Sequence, residues 1–262
     1  MFPSSPSIAF DASDPATTVA IGRLFAYLAI GIAAVILLYY AIVYVRDILA
    51  VEAGTELWYL VIGIGAAIVY AIAGVASVLF EPEWITRFVD GAVLFFILFV
   101  ALAIRAMYHE QPAAGDRSQL VPAWVDYVVI AIFVAAWWGT FLVESSSTRL
   151  VVAVGWIVTS AWAVFYGIRA VSVHEGTTFA ALTRHLLPAI VCVVAVVFVD
   201  LVTSYLTGYG ALADATWLVG TTLVAAFLFN TAVAIRQQGG ELERLYDWTT
   251  WRKQTFDDRS AE

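Results

Sequence analysis

The chain has 262 residues, of which 62% are hydrophobic and 13% charged, and its formal net charge is −8. A soluble domain carries roughly 45–50% apolar and about 25% charged residues; this excess cannot be buried in one soluble core, so lipid must be the solvent. The single cysteine, Cys192, excludes an intrachain disulfide and a thiolate metal cluster, and inside an apolar run it reads as a small buried hydrophobe.

The chain opens with MFPSSPSIAFDASDPATTVA. It lacks the basic start of a signal peptide, and residues 1–18 read as a polar extracellular tail. Seven apolar runs follow, near 19–45, 57–80, 86–108, 123–144, 149–171, 184–207 and 213–236. About 20 apolar residues cross a hydrocarbon core of about 30 Å as a helix. These runs are too long and unbroken for barrel strands, so the expected fold is an all-α bundle of seven transmembrane helices over 19–236. The connections are short, which makes neighbouring helices antiparallel. The remainder, 237–262, reads as a cytoplasmic tail that begins with a break at Gly239-Gly240. A short amphipathic helix on the membrane surface, with Trp248 and Trp251 at the headgroups, is one form for it; a partly ordered tail is the other.

Basic residues set the expected orientation. Arg46, Arg105, Arg117, Arg169, Arg184, Arg236, Arg244, Arg252 and Lys253 fall on one side. Arg23, Arg87 and Arg149 fall on the other, with Asp11, Asp14, Glu81, Glu83, Glu144 and Asp214. The richer side is cytoplasmic, which places the N-terminus outside and the C-terminus inside. Lys253 is the only lysine beside 12 arginines. Few lysines, acidic connections and abundant Ala and Val fit a high-salt, halophilic source with a GC-rich genome.

Ionisable residues within spans are costly and usually face a bundle interior. Arg87 and Asp90, three apart in TRFVDGAVLFFILF, share a helix face, with Asp90 about 4–5 Å deeper. Asp200, in VVFVDLVTSYLTG, lies about 9 Å inside the same half of the membrane. Arg87 between the two carboxylates would make a hydrogen-bonded interior cluster. The other half reads as apolar: span 3 has no carboxylate between Asp90 and Arg105, and Asn230 is the strongly polar residue of span 7 there. Trp156 and Trp162 in span 5, Phe198 and Tyr205 in span 6 and Trp217 in span 7 are candidates to line a pocket, although aromatics in bundles serve more often as packing or interface anchors.

Seven spans, an external N-terminus and Arg87-Phe88-Val89-Asp90 at the head of span 3 resemble the microbial (archaeal-type) rhodopsins. In that family an Arg and an aromatic precede the Asp that is counterion to the retinal Schiff base. The resemblance extends to Arg149 at the head of span 5 and to the pair Phe198 and Tyr205. It implies a retinal pocket within the bundle and the position of the retinal lysine in span 7. Here the family's pattern breaks. Asp90 is followed by Gly91 where the family has Trp, and Ala101 stands at the proton donor of outward pumps. Aligned from Asp214, span 7 places Thr222 at the family's Asp and Ala226 at its lysine. A shift of a residue or two offers Ala225 or Phe227. Lys253 lies in the tail, well past the end of span 7. A Schiff base needs a lysine amine, so covalent retinal chemistry is excluded.

The resemblance therefore implies a rhodopsin-like, receptor-type protein with the interior cluster Arg87, Asp90, Asp200 and Thr222. Its ligand pocket would comprise Trp156, Trp162, Phe198, Tyr205 and Ala226, and would take retinal or a carotenoid noncovalently if it takes a cofactor at all. A sensory role through a membrane or cytoplasmic protein partner, or through a second copy, is the companion expectation. The alternative is a small transporter or channel of another seven-helix family, although no inverted repeat or pair of broken spans is visible. A seven-span metal hydrolase would need converging His and Asp ligands. The three histidines, His109, His174 and His185, lack His-x-x-x-His spacing. Neither enzymatic activity nor a nucleic-acid partner is expected.

Overall fold

The computed structural model describes residues 15–45, 57–80, 83–110, 122, 124–142, 146–173, 178–205 and 210–257, with the side chains at several helix ends left undescribed. They form seven helices: α1 (Pro15–Tyr40), α2 (Leu57–Phe80), α3 (Glu83–Glu110), α4 (Trp124–Leu142), α5 (Ser146–Val173), α6 (Thr178–Tyr205) and α7 (Gly210–Asp257). All seven are long and apolar enough to cross a membrane, as the hydropathy predicts. A π-helical turn, Ala41–Val45, extends α1. Pro188 sits inside α6, where it removes one backbone hydrogen bond.

Six helices close a ring, in which α1 meets α2 and α7, α3 meets α2 and α5, and α6 joins α5 to α7. Helix α3 is the hub, with 67% of its spanning window buried against 11% for α4. Direct packing of α5 on α3 leaves α4 on the outside. Small residues permit the close approaches, as in membrane bundles generally. A Cβ on Gly63 would come within 2.9 Å of Val100, and one on Gly155 would run into the Phe133 ring. The core is aliphatic, with Ile30, Leu37, Ile64, Ile97, Leu186 and Leu228 almost wholly buried.

One boundary departs from expectation. Helix α7 does not break at Gly239 and Gly240 but runs 48 residues to Asp257. Two glycines cost about 2 kcal/mol of helix propensity relative to two alanines, which is too little to end a helix held by a packed span on one side.

Candidate functional site

The bundle has an N-terminal face, where α1 and α7 begin, and a C-terminal face, where α7 leaves the spanning region. Each carries a polar, aromatic-lined cluster.

On the N-terminal face Arg23 of α1 donates to the Asp214 carboxylate at 2.5 Å and lies 5.4 Å over the Trp217 ring, joining α1 to the start of α7. Both charged side chains stay partly accessible, at 43% and 36%. Beneath it Tyr27 makes edge contacts with Tyr70 of α2, at 5.3 Å, and with Trp217, at 5.0 Å. Tyr27 reaches them by lying on Gly74, where any Cβ would collide with its ring. From sequence, Arg23 reads as a marker of orientation, and Asp214 as that and as the acidic entry to span 7. They stand near opposite ends of the chain, and that distance hides the pairing.

Arg87 and Phe88 face α4. The Arg87 guanidinium donates to the Thr140 carbonyl at 2.9 Å, and the Trp137 indole donates back to the Arg87 carbonyl at 3.0 Å. Phe88 packs on Trp137 and Phe141, with ring centroids 5.3 and 5.1 Å apart. A Cβ on Gly91 would overlap Trp137 Nε1. The indole at this level comes from α4. Asp90 is exposed one turn away, and the side chain of Asp200 lies outside the described residues. Thr222 and Ala226 are also exposed, and the Thr222 hydroxyl donates to the Leu218 carbonyl one turn back, at 2.7 Å. The inward pair of α7 is one residue earlier, at Thr221 and Ala225, both buried.

On the C-terminal face the half expected to lack a carboxylate holds one. Arg105, read from sequence as a connection residue, is buried in α3 and pairs with buried Asp126 of α4. The guanidinium lies 5.7 Å over Trp162, which packs on Tyr166, and Tyr166 packs in turn on Tyr108. Asp126 escapes a sequence reading because it stands in the first turn of a span, where an acid resembles a loop residue. It also suits the positive end of the helix dipole. The spacing of Asp126, Phe133, Trp137 and Thr140 is the available signal, since steps of seven, four and three keep one helix face. Nearby, the Asn230 amide meets His185 Nδ1 at 3.3 Å across α6 and α7.

The expected pocket residues do not form one chamber. Trp156 and Phe198 line a groove of about 330 Å³ that opens sideways between α5 and α6. Trp162 belongs to the Arg105 cluster, and the Tyr205 side chain lies outside the described residues. Trp156 Nε1 is buried with no acceptor among the described residues. At the centre of the ring, Tyr70, Phe96, Val196, Thr221 and Val224 surround a space of about 30 Å³, enough for one or two waters. No group of three metal-ligating side chains occurs among the described residues. No family model, no curated protein and no solved structure matches the chain, and its seven apolar helices make it an integral membrane protein of the seven-helix class.

Proposed function

We propose that the chain is a membrane sensory module whose input is the Arg23–Asp214 cluster and whose output is the projecting end of α7, acting on a protein partner. The observation that carries this reading is continuity. A single helix begins at an accessible, ion-paired face and ends at Asp257, well beyond Gln237, the last residue of its spanning segment. Binding that breaks or tightens the pair has a differential effect on two positions of α7, which is what a population shift requires. The positive-inside distribution of arginine supports an input outside and an output in the cytoplasm.

The test uses spin labels at Ser172→Cys and Gln254→Cys in a Cys192→Ala background. Asp214→Asn shifts the label-to-label distance distribution if the module relays. An unchanged distribution in a folded variant removes the reading.

A second reading has its own observation. Trp156 and Phe198, both candidates from sequence to line a pocket, border the α5–α6 groove. The groove suits an elongated apolar molecule such as retinal or a carotenoid, held without a covalent bond; the central space does not. The check is an absorption spectrum of purified protein before and after all-trans retinal, with a borohydride challenge. A visible band that forms no lysine adduct and is lost in Trp156→Ala supports it. Absence of any band leaves the groove to lipid.

A further inference from the structure

A polar pair on the seam between α6 and α7 faces lipid. Asn230 is exposed, and its amide nitrogen lies 3.3 Å from Nδ1 of half-buried His185. An amide nitrogen only donates, so Nδ1 accepts and the neutral ring carries its proton on Nε2. The pair thus uses one donor and one acceptor. His185 Nε2–H, the second Asn230 N–H and Asn230 Oδ1 make no further hydrogen bond among the described residues.

Depth decides what can satisfy them. The spanning segment of α7 is Gly210–Gln237, 28 residues or about 42 Å, the thickness of a bilayer with its headgroups. Asn230 lies about 10 Å inside its C-terminal end. His185 lies just inside the spanning segment of α6, Leu182–Val199. Both therefore stand where headgroups give way to acyl chains. Water is scarce there, and a polar group left without a partner is costly. Phosphate and ester oxygens of lipid are the acceptors at hand.

Charge narrows the choice. Arg184, next to His185, is exposed and has no ion pair among the described residues. The stretches 182–199 and 215–237 contain no Asp or Glu, so nothing along the seam offsets this charge. The seam also grades from apolar to polar. Leu223, Asn230 and Gln237 are exposed and seven residues apart, which keeps them on one face of α7. Val191, 46% exposed, continues the apolar end on α6.

We propose that this seam holds an anionic phospholipid. Its phosphate lies against Arg184, His185 Nε2–H and the Asn230 amide, and an acyl chain runs down past Leu223 and Val191. The arginine supplies charge-assisted hydrogen bonds to phosphate oxygens. The ammonium of a zwitterionic headgroup finds no acid on these stretches, so the site selects for net negative charge. The lipid site stands apart from the sensory reading and survives its failure.

For the test, the full chain in mild detergent is mixed with equal amounts of dioleoyl phosphatidylglycerol and dioleoyl phosphatidylcholine. Bound lipid is counted by native mass spectrometry. The first adduct is expected to be phosphatidylglycerol, and Arg184→Gln lowers the preference about fivefold, the worth of one arginine near an anionic surface. Asn230→Leu weakens the adduct without lowering the melting temperature measured free of added lipid, because the side chain is exposed. Arg236→Gln is the control: this exposed arginine lies about 120° around α7 from Asn230 and leaves the preference unchanged. Equal adducts of the two lipids, a preference unmoved by Arg184→Gln, or an equal loss in Arg236→Gln overturns the site. Displacement of phosphatidylglycerol by excess inorganic phosphate overturns the lipid as its occupant. If Asn230→Leu does not fold, the two arginine variants decide alone.

Discussion

At the scale of single residues, Arg105 and Asp126 are both buried, so their mutual attraction repays a large desolvation cost, and removing one partner strands the other. Asp126→Ala is expected to destabilise the bundle by about 3–5 kcal/mol. The double replacement Arg105→Met with Asp126→Leu is expected to cost less than either single change, as thermal unfolding in one detergent will show. Gly91 makes the second prediction. Gly91→Ala forces Trp137 from its seat and costs about 1–3 kcal/mol as overpacking does; Trp137→Leu in the same chain recovers part of the loss. A Gly91→Ala protein as stable as the parent would mean the indole is not seated there. The sequence alone does not disclose either role. Gly91 reads as a departure from a motif, because the side chain that requires it arrives from position 137, and contacts across helices leave no local trace.

At the scale of elements, α4 behaves differently from its neighbours. Its buried residues are Asp126 and Phe133, and most of its apolar surface faces outward. Lipid solvates such a surface as well as another helix would, so the hydrophobic effect does not hold α4 in place. Polar contacts at both ends do so: Asp126 with Arg105, and Thr140 and Trp137 with Arg87. Arg87 and Arg105 stand about five helical turns apart, a whole number of turns, and so share one face of α3. Arg87→Gln combined with Asp126→Asn is expected to raise hydrogen exchange across 124–142 selectively, while exchange in α2 and α3 stays low. Uniform protection would show that apolar packing alone holds the helix. The existence of this helix is plain from hydropathy, since length and composition decide it. Its place outside the ring is not, because hydropathy does not distinguish a lipid-facing span from a core span.

At the scale of the whole molecule, seven spans are readable from composition because the membrane imposes one length on every crossing segment. The length of α7 is not, since Gly239-Gly240 carries the same local signal whether a helix ends or passes through. Among the described side chains the buried face of α7 ends at Ile235, and a chain truncated after Gln238 is expected to unfold within about 0.5 kcal/mol of the full chain, the range of surface changes. A larger loss, measured by denaturation in the same detergent, would show that the extension folds back on the bundle.

The length of α7 also sets a mechanical ratio. From the ion pair at Asp214 to Asp257 is about 64 Å at 1.5 Å per residue. If the Arg23–Asp214 contact is the fulcrum, a tilt of about 5° carries the far end roughly 6 Å, comparable to the one-turn ratchets by which packed elements switch. Within the first turn the same tilt displaces atoms by less than an ångström. On the sensory reading the bundle would work as a lever of unequal arms, in which a rearrangement too small to open a cavity at one face becomes a full step at the other.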